Sequence, residues 1–260
     1  MPATHRYRIH ALLAVVACAL TGHTQAGPPF VTDDPEPVEL HHWEIYFATQ
    51  QYHTSGDWSG TAPHLELNFG VLPDTQLHLI APIAYDHPSG GPSHIGYGDT
   101  ELGIKYRFVQ ETESMPQIGV FPLVELPSGN ARKGLGNGQA QWFLPLWLQK
   151  KFGDWTTYGG GGYWFNPGHD NRNYVYAGWE IQRKLSESFS AGMEIQFRTA
   201  DTVTANSRVA LNAGGMWDLS ENHHLLFSAG HSLNGPGEFQ AYLAYQFTFG
   251  PGNSKPSASK

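Results

Sequence analysis

A histidine beside a serine could supply a base and a nucleophile, and His231-Ser232-Leu233-Asn234-Gly235 offers that pair in this 260-residue sequence. A base must come within hydrogen-bond reach of its nucleophile. In an extended strand adjacent side chains point to opposite faces, so His231 and Ser232 diverge. The run then reads as a polar strand end leading into a turn at Asn234-Gly235-Pro236-Gly237. His41-His42 and His223-His224 fail as zinc pairs for the same reason, and neither has a third ligand close in sequence. Gly159 to Gly162 lacks the Lys-Ser/Thr of a phosphate loop and sits within a strand pattern, where glycines permit a bend or a close approach. The sequence predicts no enzyme, no metal and no cofactor.

The charged residues are informative through their positions. Beyond Leu40 the sequence divides into twelve segments of alternating polarity, at about 42–51, 63–69, 75–85, 98–108, 117–126, 139–151, 155–165, 173–184, 188–199, 207–217, 223–232 and 238–249. In the fourth, Thr100, Leu102, Ile104, Tyr106 and Phe108 alternate with Asp99, Glu101, Gly103, Lys105 and Arg107. Successive side chains of a strand face opposite sides, so one face is apolar and the other mostly charged. The same parity places Glu44, Glu66, Asp99, Glu101, Lys105, Arg107, Glu125, Glu180, Lys184, Glu194, Arg198, Arg208 and Glu238 on one face. Only Lys150 and Arg183 fall on the other, both at strand ends where a long side chain can reach an interface.

Arg6 and Arg8, an apolar run from Ala11 to Leu20 and then Thr24-Gln25-Ala26 follow the order of a secretory signal peptide, expected to be cleaved after Ala26. The run is too short for a membrane-spanning helix, which takes about 20 residues. A competing reading takes Val15-Val16-Ala17-Cys18 as a lipoprotein cleavage box. Cys18 is the only cysteine, so cleavage after Ala26 leaves no disulfide and no thiolate ligand. Loss of Arg6 and Arg8 takes the formal charge from −8 to −10, which argues against nucleic acid as a partner. The 13% aromatic content, 30 glycines and 18 prolines favour many short strands. A mean hydropathy of −0.37 fits a barrel in which half of each strand faces an aqueous lumen.

Parity alone does not say which face is inside. The export signal, the connections and the aromatic residues point to an inside-out wall. Tight connections (Gly70 to Asp74, Phe152 to Asp154, Leu185 to Glu187, Asp218 to Asn222) alternate with longer ones (Tyr52 to Ala62, Asp86 to Tyr97, Pro127 to Gly138), as periplasmic turns alternate with extracellular loops. The tight-turn end collects Trp43, Phe69, Phe108, Phe152, Trp155, Phe189, Trp217 and Phe249 as an aromatic girdle. The predicted fold is all-β: a transmembrane antiparallel up-and-down β-barrel of about twelve strands in the outer membrane, with the lipid bilayer as its partner. Residues 1–26 form the signal peptide, 27–40 a Pro-rich acidic segment, 41–249 the barrel and 250–260 a polar tail. The last strand, Phe239 to Phe249, resembles the terminal strand that outer-membrane assembly machinery reads.

Gly27-Pro28-Pro29-Phe30-Val31-Thr32-Asp33-Asp34-Pro35-Glu36-Pro37, the run from Gly96 to Phe108 and Glu125-Leu126-Pro127-Ser128-Gly129 resemble a bacterial outer-membrane family named for the MetA pathway of phenol degradation. The likeness implies a transporter-like barrel and carries over no catalytic residues. His231 to Gly235 is also similar to the His-x-Ser-Asn-Gly motif of outer-membrane phospholipases, with the serine displaced to the adjacent position. The expected function is passive uptake or efflux of small solutes, aromatic or hydrophobic ones included, along a lumen lined by Glu44, Glu66, Asp99, Glu101, Lys105, Arg107, Glu180, Glu194, Arg198 and Arg208. The alternatives are an outer-membrane lipid or peptide hydrolase and a structural or adhesive barrel without transport. Residues 27–40 carry four prolines without ladder donors and four acids, so they cannot form a lipid-facing strand. They are expected to enter the lumen or cross its periplasmic mouth as a plug, with Lys105, Arg107 or Arg208 meeting their acids, or else to form a loose leader.

Overall fold

The computed structural model describes residues 28–235 and 237–251. The signal-peptide reading and most of the polar tail lie outside these residues. Fourteen strands follow one another: β1 Trp43–Thr54, β2 Asp57–Leu72, β3 Thr75–His87, β4 His94–Tyr97, β5 Thr100–Val109, β6 Gln117–Val120, β7 Leu123–Leu126, β8 Gln141–Phe152, β9 Trp155–Phe165, β10 Tyr174–Ser186, β11 Phe189–Arg198, β12 Arg208–Ser220, β13 His223–Ser232 and β14 Glu238–Phe249. β4 and β5 both pair with β3, while β6 and β7 both pair with β5 and β8, so the fourteen make twelve staves. All pairings are antiparallel between sequence neighbours, and β1 closes on β14 from Trp43↔Phe249 to Thr54↔Glu238. The result is a closed twelve-stave up-and-down barrel.

The interruptions have local causes. Pro122 has no N–H to give the ladder, and the strand is interrupted between β6 and β7, where its carbonyl still accepts the Ile104 N–H at 3.2 Å. Between β1 and β2 the long loop expected over Tyr52 to Ala62 is absent. Both strands continue to a two-residue turn at Ser55-Gly56, whose φ values of 52° and 93° suit a tight hairpin. Pro63 breaks the alternation there, because the register slips between Thr61 and His64.

Exposure decides which face is inside. Leu102, Ile104, Tyr106 and Phe108 lie on the outer surface, while Lys105 between them is only 4% exposed. Phe47, Leu144, Trp179, Ile195 and Leu243 repeat the exposed apolar face on other staves, and Glu66, Gln149, Glu194 and Gln246 repeat the buried polar one. A soluble barrel has the reverse arrangement. Register gathers the girdle at one end, pairing Trp43 with both Phe69 and Phe249, Phe152 with Trp155, and Phe189 with Trp217. Trp43 and Phe69 stack at 4.4 Å.

The interior of the barrel is occupied by residues 28–40. Thr32 and Asp34 there are wholly buried. The segment leaves through the tight-turn end, where Leu40 bridges Gly70. Inward-facing glycines seat it: a Cβ on Gly178 would come within 2.0 Å of Thr32 Oγ1, and one on Gly119 within 2.9 Å of Pro35 Cβ.

Candidate functional site

The lumen is the candidate site, and the N-terminal segment divides it. Its acids meet the wall at two lysines. Lys105 Nζ donates to Asp33 Oδ1 at 2.8 Å and lies 3.5 Å from Asp34 Oδ2. Glu36 accepts hydrogen bonds from Lys151 at 2.9 Å, Gln149 at 2.7 Å and Gln117 at 3.2 Å. The carboxylate of Glu194 accepts the backbone N–H groups of Val31 and Thr32 at 3.0 and 2.8 Å. Gln76 accepts the N–H of Val38 at 2.9 Å, and Thr32 Oγ1 lies 3.3 Å from the Tyr176 hydroxyl. A proline-rich chain lacks ladder partners of its own, so these wall side chains supply the pairing that its buried polar groups require.

Beside the segment runs a cavity of about 1530 Å³. Of the residues assigned to the lumen from parity, Glu44, Glu66, Glu101, Lys105, Arg198 and Arg208 line it. Four stand elsewhere. Asp99 accepts the N–H groups of Gly129 and Asn137 at 2.8 and 2.6 Å and so anchors the loop after β7. Arg107 binds Asp74 through Nε and Nη2 at the tight-turn end, and Arg208 pairs with Glu238, so neither meets the segment's acids. Glu180 and Glu194 face each other across the β10–β11 pairing and are almost completely buried within the filled interior.

Of the aromatic wall on the lumen side, the sequence places Tyr174 and Tyr176 inward, as candidate anchors for the N-terminal segment together with Tyr242, and misses the rest. Phe121, Phe143, Trp147 and Tyr176 are buried together, with Leu123 and Trp164 packed against them. The signal was present in β8, where Trp142, Leu144, Leu146 and Leu148 form one apolar face and Phe143, Pro145 and Trp147 a second. Lys151 was missed because it follows Lys150 at a strand end. The structure separates them, with Lys150 held to Glu111 and Lys151 to Glu36.

No base–nucleophile pair forms at His231-Ser232. The side chain of Ser232 is buried and that of His231 exposed; Ser232 Oγ accepts the Glu238 N–H at 2.8 Å, and His231 Nδ1 lies 2.8 Å from a backbone carbonyl. His223 stacks on Phe247 at 5.0 Å, whereas its neighbour His224 turns to Asp218 at 2.6 Å. Among the described residues no three His, Cys, Asp or Glu side chains gather as a metal site.

Burial pushes the Asp34 carboxyl up to about 8, and the neighbouring Asp33 and Glu36 carboxylates add to the rise that the Lys105 ammonium partly offsets. Freed into water, the same group would return towards its ordinary value of 3.8. Between these values the docked segment holds a proton that the released one does not, so docking is strongest on the acid side and weakens as pH rises through about 8. Cleavage of residues 28–40 by an added protease is therefore expected to rise with pH over that window, and Asp34→Asn to flatten the profile; a fall with rising pH contradicts the assignment.

An apolar exterior, a polar filled interior and complete closure define an outer-membrane β-barrel. The chain belongs to the family described as Putative MetA-pathway of phenol degradation, whose model matches residues 51–249. Among solved structures it is similar to the COG4313 outer membrane channel from Pseudomonas putida F1, with a TM-score of 0.72, 16% identity, and coverage of 83% of this chain and 98% of that one. The KdgM porin is similar at a TM-score of 0.57 and 11% identity over 79% of this chain and 99% of its own. The NanC porin is similar at 0.58 and 8%, over 78% and 98%. At these identities the likeness is one of fold. A comparison with curated proteins finds no match.

Proposed function

We propose that the barrel is a passive channel of the outer membrane, in which small solutes pass between the N-terminal segment and the wall. The observation that carries this reading is the extent of the cavity. Its lining includes Thr54 and Asp57 at the hairpin end together with Lys184, Asp218 and Thr248 at the tight-turn end, so the cavity draws wall residues from both ends of the barrel. The similarity to channels and porins supports the same reading. The path runs past Glu44, Glu66, Glu101, Lys105, Arg198 and Arg208, and residues 28–40 act as its plug. The aromatic wall suits solutes with an apolar body. Ionic conductance of the refolded protein in planar bilayers, with liposome swelling, tests the proposal: no current and no swelling would reject it.

The lining carries twelve carboxylate side chains and four from lysine or arginine. Fixed charge biases permeation by sign, so the reversal potential in a salt gradient is expected to show cation preference. Glu44→Gln with Glu101→Gln should reduce it. Parity alone points to Glu180 and Glu194 for this test, but both lie off the cavity surface, and Glu194 acts on docking of the plug. Anion preference in the native protein would contradict the reading.

A further inference from the structure

The loop-side half of the lumen contains an arrangement that ion conduction does not use. Across β7 to β10 the register sets Leu123 opposite Phe143, Phe143 opposite Trp164 and Trp164 opposite Tyr174, one row on the inner wall. Phe143 and Trp164 stack at 4.8 Å with planes 10° apart, and Trp164 and Tyr174 at 5.8 Å with planes 16° apart. All four residues line the cavity. Glu125 is two residues beyond Leu123 and therefore on the same face, next to the row. It too lines the cavity, and among the described residues it makes no hydrogen bond or ion pair. The arginines of the same region are already engaged: Arg198 holds Asp201 at 2.9 Å, and Arg208 holds Glu238.

From this we infer that the loop-side lumen binds a small organic ammonium with an aromatic or apolar body, its cationic nitrogen at Glu125 and its body against Phe143 and Trp164. Ring faces attract cations through their quadrupole, and a neighbouring carboxylate adds a charge-assisted hydrogen bond. The row already does this at one end, where the Arg198 guanidinium sits 5.9 Å from the centre of the Tyr174 ring. Among the described residues no cationic side chain stands over Phe143 or Trp164. A carboxylate ligand is disfavoured, because it would approach Glu125 and compete with Asp201 and Glu238 for the arginines. The inference names a solute class for the proposed channel and rests on that reading for its role in transport.

Calorimetric titration of the refolded protein in detergent tests binding, with phenethylammonium, butylammonium and 3-phenylpropanoate as probes. Phenethylammonium is expected to bind most tightly and 3-phenylpropanoate least. Glu125→Gln should weaken phenethylammonium about tenfold, the size of one charge-assisted contact. Trp164→Leu should weaken it about threefold, in the range of a single aromatic pair, with little change for butylammonium. Tighter binding of the carboxylate, or equal affinity in the Glu125→Gln protein, would overturn the inference. Current recorded from the same preparation keeps the two readings apart. Conduction without ammonium binding leaves the channel standing and ends the ammonium site. Ammonium binding without conduction does the reverse.

Discussion

Deletion of residues 27–40 is expected to raise the single-channel conductance severalfold and to reduce its selectivity. A twelve-stave barrel is wider than the eight-stranded kind whose own side chains fill the interior, and here the N-terminal segment takes part of the remaining space. Val31, Thr32, Asp33, Asp34, Glu36 and Val38 all bond to wall side chains. A gentler variant keeps the chain length: Lys105→Met with Lys151→Met leaves Asp33, Asp34 and Glu36 without their cationic partners. Lys105 is buried, so its loss strands Asp33 and Asp34 without a cation, while the Lys151–Glu36 pair is about one third exposed and adds less; both losses favour release of the segment over retention. The double variant should therefore flicker between the native and the enlarged conductance. A conductance unchanged by the deletion and by the double substitution would reject the plug.

Replacing Ile104 or Ile195 by Arg is expected to destabilise the barrel by about 2–4 kcal/mol if the residue lies near the bilayer midplane. Both side chains are about half exposed on the outer face, at 49% and 50%, so a guanidinium there would meet hydrocarbon. The proper lumen control is Gln50→Arg, since Gln50 lines the cavity, and its cost should be small. Gly103 and Gln196, also on the inward face, are poor controls. A Cβ on Gly103 would fall 2.5 Å from Leu123 Cδ2, and Gln196, though it borders the cavity, is only 5% exposed. Steric cost would there be mistaken for the cost of meeting lipid. Equal losses at Ile104, Ile195 and Gln50, measured by unfolding from lipid vesicles, would overturn the assignment of faces.

The period-2 alternation is a local property, and the sequence by itself determined what depends on it: the twelve staves, most strand limits, the girdle residues and the shared face of Glu44, Glu66, Glu101 and Lys105. Alternation fails where a proline or bulge interrupts it, which is why the β1–β2 hairpin resembles a loop in sequence and why two staves divide into β4 with β5 and β6 with β7. Parity is symmetric between the two sides of a sheet, so the charged face is put inside by the export signal, the connections and the aromatic girdle, and closure and exposure agree. The partners of the N-terminal segment depend on residues far apart in the chain. Glu36 meets Lys151 and Val31 meets Glu194 because the closed wall brings β8 and β11 around one interior. The same geometry decides which lumen acids border open space and which lie within the packed interior. Glu125 and Glu194 look alike in an alternating pattern, yet one faces the cavity and the other holds the backbone of the segment. That difference arises from what fills the barrel, and filling is a property of the folded volume that no single strand contains.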